Sequence, residues 1–223
     1  MDHARVLEVA SQAARAAGAL IVAHAGRAAV ESTKADFQDL VTQCDKDCQK
    51  IIFDAMRCAF GETHAFLGEE DVPPGAEAAS AAIAGMVSSP LPLWVCDPID
   101  GTTNFVSGVP FSCVSIGVSL GGVVVVAVIY DPHRNELFSA VRGEGAFLNG
   151  APLRVAGCTV MKEALMGWGL HHARNVSKTM LRAAEHFVDH VRGLRALGSA
   201  ALVRAVPLPA SHPPATHPLP HPL

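Results

Sequence analysis

Apolar positions recur along this chain with two different periods. Over residues 4–30 they fall at Val6, Val9, Ala13, Ala17, Leu20 and Ile21, a spacing of three and four that predicts a long amphipathic helix. "ESTKADFQDLVTQCD" interrupts it and reads as extended around Leu40–Thr42. Asp45 then reads as the cap of a second helix over Lys46–Ala59, with Ile51, Ile52, Ala55 and Met56 on one face. "HAFLGEED" predicts a short strand running into an acidic loop, residues 76–87 allow a further helix, and "PLWVCD" predicts a buried strand. In "FSCVSIGVSLGGVVVVAVIYDP" two apolar runs meet at Gly121-Gly122, a hairpin signal. "NELFSAVRGEGAFLNG" adds one or two strands with glycine turns. Residues 177–192 return to helical spacing through Met180, Leu181, Ala184, Phe187, Val188 and Val191.

The end of the chain differs in kind. From Pro207 to Leu223, 17 residues hold seven prolines and three histidines, a composition that predicts a disordered or polyproline-like tail. The chain of 223 residues has length for one large or two small domains. With 50% hydrophobic and 17% charged residues it reads as globular. A net charge of −4 without a basic cluster argues against a nucleic-acid partner. No unbroken apolar run reaches membrane length, since the longest, Val123–Tyr130, is strand-sized. The six cysteines contain no CxxC pair, which favours reduced thiols and a cytoplasmic setting.

The chemistry concentrates in "WVCDPIDGTTNF", residues 94–105. Asp97 and Asp100 offer carboxylates and Ile99 a backbone carbonyl, the oxygen donors that magnesium prefers. Pro98 stiffens the turn, Gly101 permits close backbone approach, and Thr102 and Thr103 can cap a following helix whose start attracts phosphate. Alone, the two aspartates fit a turn-and-cap role equally well. A second acidic cluster, Glu69-Glu70, at the end of another predicted strand favours the metal–phosphate reading.

"DLVTQCD", "FLGEED", "WVCDPIDGTTNFVSGVPFSCVSIGV" and "GEGAFLNG", in this order and spacing, resemble the inositol monophosphatase family of magnesium-dependent, lithium-sensitive phosphomonoesterases. The resemblance covers about residues 4–201. It implies an α/β (α+β) fold, a layered αβαβα sandwich, with a metal-site domain over 1–155 and the start of a substrate domain over 156–202. It also implies roles. Glu69, Asp97 and the Ile99 carbonyl hold a first Mg2+, and Asp97 bridges to a second that Asp100 also binds. Thr102 and Glu69 orient and help deprotonate the attacking water, with Asp45 supporting Thr102. The backbone of Gly101 and Thr102 holds the phosphate. Gly198, Ser199, Ala200 and Ala201, in "LGSAAL", line the substrate pocket, and Lys34 is a candidate loop lysine near the metals. The implied partner is a small phosphate monoester, and a homodimer is expected.

The family pattern continues with a further acidic pocket residue and a "WD" block, whereas this sequence has no Asp or Glu after Asp189. The last part of the C-terminal unit is therefore expected to be missing. Affinity for the second magnesium should fall, and the sheet begun near 162–170 should keep an unpaired edge with exposed apolar surface. Two functions follow as expectations: an impaired phosphatase, or a non-catalytic form that binds metal or pairs with longer subunits.

Overall fold

A computed structural model describes residues 1–33, 40–72, 80–82, 84, 90–155, 157–170 and 174–205. Lys34, most of the helix predicted over 76–87, His171-His172 and the tail from Pro207 lie outside the described residues. Helix α1 (His3–His24) is capped by Asp2, whose side chain accepts from the Arg5 backbone N–H at 3.1 Å. It ends earlier than its periodicity predicts, because Gly26 turns away and donates its N–H to the Phe105 carbonyl at 2.8 Å. That contact is tertiary and leaves no local signal.

The buried stripe of α1 is mostly small: Val6, Ala10, Ala13, Ala14, Ala17 and Gly18. Small side chains let the helix lie close on the sheet. A β-carbon at position 18 would stand 2.6 Å from the Tyr130 ring. By length and composition α1 is apolar enough to cross a bilayer, although Arg5, Glu8 and Arg15 break up its apolar run. Here its apolar face is buried within the core.

Strands β1 (Val30–Thr33) and β2 (Leu40–Thr42) pair antiparallel and lead into α2 (Gln43–Phe60). The helix starts three residues before the predicted position, and Asp45 is not its cap. Thr42 occupies that place, and Asp45 reaches back to accept from the Thr42 backbone N–H at 2.8 Å and from its hydroxyl at 2.6 Å. Threonine can end a strand and cap a helix at once, which hides the boundary.

Among the described residues the central sheet has seven strands, in the order β3 to β9. These are β3 (Ala65–Gly68), β4 (Leu93–Asp100), β5 (Cys113–Leu120), β6 (Val123–Asp131), β7 (Glu136–Val141), β8 (Gly145–Leu148) and β9 (Ala151–Pro152). β3 and β4 run parallel, and every later pair is antiparallel. The predicted Gly121-Gly122 hairpin joins β5 to β6, both glycines having positive φ. The short helix α3 (Thr102–Val106) follows β4.

A second sheet pairs β10 (Leu165–Trp168) in parallel with β11 (Gly193–Ala196), crossing over through α4 (Arg174–Val188), and α5 (Ala200–Ala205) follows. The expected mixed α/β fold is thus present, and β10 has a partner on one side. Leu181 and Val188 of α4 remain exposed, because this narrow sheet offers α4 little surface to cover.

One side of the large sheet packs on α1 and α2 around Trp94, Ile52, Met56, Ile116 and Val118, all nearly inaccessible. The Trp94 indole donates to His64 Nδ1 at 2.9 Å, and the His64 ring stacks on Phe60 at 4.1 Å. Nδ1 must be unprotonated to accept, and burial holds the imidazole below its usual value of 6.5. A depressed histidine contributes stability above pH 6.5 that is lost as pH falls through 6.5 toward the folded value. His64→Gln keeps an acceptor without titrating, so between about pH 7.5 and about pH 5, where histidines titrate, calorimetry should show a shallower fall in its thermal midpoint than in wild type. Parallel profiles for the two proteins would refute this role for His64.

Candidate active site

Strand register builds the acidic site. Gly68 lies opposite Cys96 in the parallel β3–β4 pair, so Glu69 leaves the end of β3 beside Asp97, which continues in β4. Residues three apart on a regular strand face opposite ways. Between Asp97 and Asp100, however, the β4–β5 ladder shifts: Asp97 pairs with Ser115 and Asp100 with Cys113. Three steps on β4 match two on β5, and this bulge lets both aspartates line one cavity of about 560 Å³.

Gly101 follows at φ +101°, capping α3. A β-carbon there would stand 3.1 Å from the Phe111 carbonyl and 3.2 Å from that of Gly198. Thr102 and Thr103, predicted as caps, instead form the first turn of α3. The Thr102 hydroxyl donates to the Ile99 carbonyl at 3.0 Å.

Asp97 Oδ1 accepts from the Ile99 N–H at 3.2 Å. Burial, and then the neighbouring Glu69 and Asp100 carboxylates, push the Asp97 carboxyl well above its usual range. Burial raises Asp45 as well, against the opposing effect of its Thr42 hydrogen bonds. Several like charges thus converge on one place.

Asp100 is committed elsewhere in part. Its carboxylate accepts from the Ser199 hydroxyl at 2.5 Å, the Ala201 N–H at 2.7 Å and the Ala200 N–H at 3.2 Å. It therefore holds the start of α5. Asn104 adds a second tie, donating to the Leu197 carbonyl at 2.7 Å and the Phe111 carbonyl at 2.8 Å. Glu69, Asp97, Ile99, Asp100, Gly101, Thr102, Gly198, Ser199 and Ala200 line the cavity together. Ala201 meets Asp100 through its backbone, and Asp45 lies behind at the α2 start.

Among the described residues, no three His, Cys, Asp or Glu side chains already stand as a ready ligand group. The donors that do converge are carboxylate and carbonyl oxygens, a set suited to a hard divalent cation.

Sequence reasoning missed Gln49, whose Oε1 accepts from the Glu70 N–H at 3.0 Å and so fixes the acidic turn. Its chain crosses Gly68 so closely that a β-carbon there would stand 2.0 Å from Oε1. A polar residue in the buried face of α2 was the available signal. Trp168, Met180 and Arg204 in the cavity lining were missed too, and no motif marks them.

A sequence model of the inositol monophosphatase family matches residues 2–206. The chain belongs to the inositol monophosphatase family. Inositol monophosphatase 1 of Solanum lycopersicum is 40% identical over 166 residues, 74% of this chain and 58% of that protein. Nus factor SuhB of Pseudomonas aeruginosa is 39% identical over 201 residues, 88% of this chain and 70% of its own length. The crystal structure of the suppressor protein SuhB from Bartonella henselae superposes with a TM-score of 0.76 at 34% identity, covering 90% of this chain and 73% of that one. This inositol monophosphatase family chain thus spans a little over half the length of the tomato relative.

Asp100→Asn replaces an acceptor with an amide facing two backbone donors. In chelator it should lower unfolding free energy by roughly 1–3 kcal/mol and speed proteolysis within 198–205. Unchanged proteolysis there would show that Asp100 does not hold α5.

Proposed function

We propose that this protein is a magnesium-dependent phosphomonoesterase acting on inositol monophosphate or a related sugar phosphate. The observation that carries the reading is the convergence of Glu69, Asp97 and Asp100 on one cavity, produced by the β3–β4 register and the β4 bulge. Membership of the inositol monophosphatase family supports it.

Glu69, Asp97, Asp100 and the Ile99 carbonyl would hold the cations. When bound, divalent ions supply charge neutralisation for the phosphate and for the departing oxygen. The protein does the rest. Thr102 spends its hydroxyl proton on the Ile99 carbonyl, so its lone pairs remain to accept from a water and orient it. The Glu69 carboxylate takes the proton as that water attacks phosphorus, the P–O bond to the alcohol breaks, and the departing oxygen takes a proton from solvent water. Backbone N–H groups of Gly101 and Thr102, at the start of α3, hold the phosphate oxygens. Ser199 and the backbone around Gly198 close the far side.

Purified protein should release phosphate from inositol 1-phosphate when magnesium is added, and lithium should inhibit the release. Asp97→Asn should lower the rate at least about a hundredfold, the scale of losing several kcal/mol of charge stabilisation. Full activity in Asp97→Asn would overturn the cation site. Magnesium binding without turnover would favour a non-catalytic role instead.

A further inference from the structure

Besides the acids, the cavity has an apolar part to its lining. It is formed by Trp168 at the end of β10, Leu170 after it, Met180 from α4 and Val203 from α5. Trp168 is half-buried and packs against Phe187 with ring centroids 5.9 Å apart. Its indole nitrogen is shielded from solvent and has no hydrogen-bond partner among the described residues. The other tryptophan, Trp94, spends its N–H on His64 inside the core. A buried, unspent donor is costly, and an indole serving only as filler is more often satisfied. The strand itself is close-packed: Gly167 lies so near α5 that a β-carbon there would stand 2.4 Å from Val203 Cγ1. Trp168 therefore stands at a strand end beside a cavity that also holds the acids and, next to Val203 on α5, Arg204.

We propose that Trp168 determines specificity by offering an aromatic platform to the carbon-bound hydrogens of a cyclic polyol phosphate. This rests on the phosphatase reading above. The phosphate goes to the acidic side, and the ring of the alcohol lies against the indole. A saturated six-membered ring carrying equatorial hydroxyls has axial C–H groups on its faces. Such a face is apolar while the ring edge remains polar, which suits a wall of one aromatic and three aliphatic side chains. A ring hydroxyl at the indole edge can take the unspent N–H after a small tilt of the side chain. An acyclic ester presents no such face and gains little.

The test compares inositol 1-phosphate with glycerol 2-phosphate on wild type, Trp168→Phe and Trp168→Ala. Trp168→Ala should raise KM for the cyclic ester about tenfold with kcat within about twofold, the pattern of lost uniform binding. KM for glycerol 2-phosphate should move less than about twofold, and Trp168→Phe should stay within about threefold of wild type for both. Equal losses on both esters, or a phenylalanine variant as poor as the alanine one, overturn the platform. Thermal unfolding of each variant separates a misfolded protein from a specific defect.

Tryptophan fluorescence gives a readout independent of turnover. With Trp94 sealed in the core, inositol 1-phosphate should quench the signal of Trp168, glycerol 2-phosphate should not, and Trp168→Phe should lose the response. If neither ester is hydrolysed yet the cyclic one quenches, the phosphatase reading fails and the platform stands. If hydrolysis occurs with no quenching, the platform fails and the phosphatase reading stands.

Discussion

One carboxylate joins the two halves of this molecule. Asp100 ends the strand that carries the acids, and it also accepts three hydrogen bonds from Ser199, Ala200 and Ala201 at the start of α5. Hydrogen bonds to a charged acceptor contribute roughly 1.5–3 kcal/mol each, though such values are not additive. A helix of six residues has no stability of its own, so its place is set by this anchor and by Leu202, which is buried beside Cys113 and Phe138. Without the anchor, the start of α5 loses these hydrogen bonds to the strand that carries Asp97.

The acidic side has a different logic. Asp97 sits among like charges, and protein groups alone leave it above its usual range. Such a cluster is destabilising by itself and is resolved by protons or by cations. Its geometry is nonetheless fixed from outside: Gln49 holds the turn after β3, Thr42 holds Asp45, and the bulge turns Asp97 and Asp100 to the same cavity. Asp97 and Asp100 stand on a strand, and the turn that carries Glu69 is held from α2 by Gln49.

Much of this was legible in the residues. The Gly121-Gly122 hairpin, the small stripe of α1 and the aspartate stretch all announce themselves through local chemistry. What escaped was tertiary. The end of α1 is set by Phe105 and the start of α2 by a threonine serving two elements. The bulge exists only relative to β5. Strand β11, "GLRA", is too short and polar to read as a strand until β10 lies beside it. Trp168 gave no signal because "MGWG" has neither period nor motif. The site was read from residue types that carry chemistry, and its apolar wall was missed because such residue types look like ordinary core.

The strand order also sets a sequence of events for folding. From β4 to β9 every strand pairs with its neighbour in the chain, across short connections. Such pairing closes small loops and forms early. The bond between Asp100 and Ala201 spans 101 residues, and a loop some ten times longer costs roughly 2 kcal/mol more to close. The meander can therefore assemble while the second sheet is still unformed. The cavity needs both, since its lining comes from β4 and from β10.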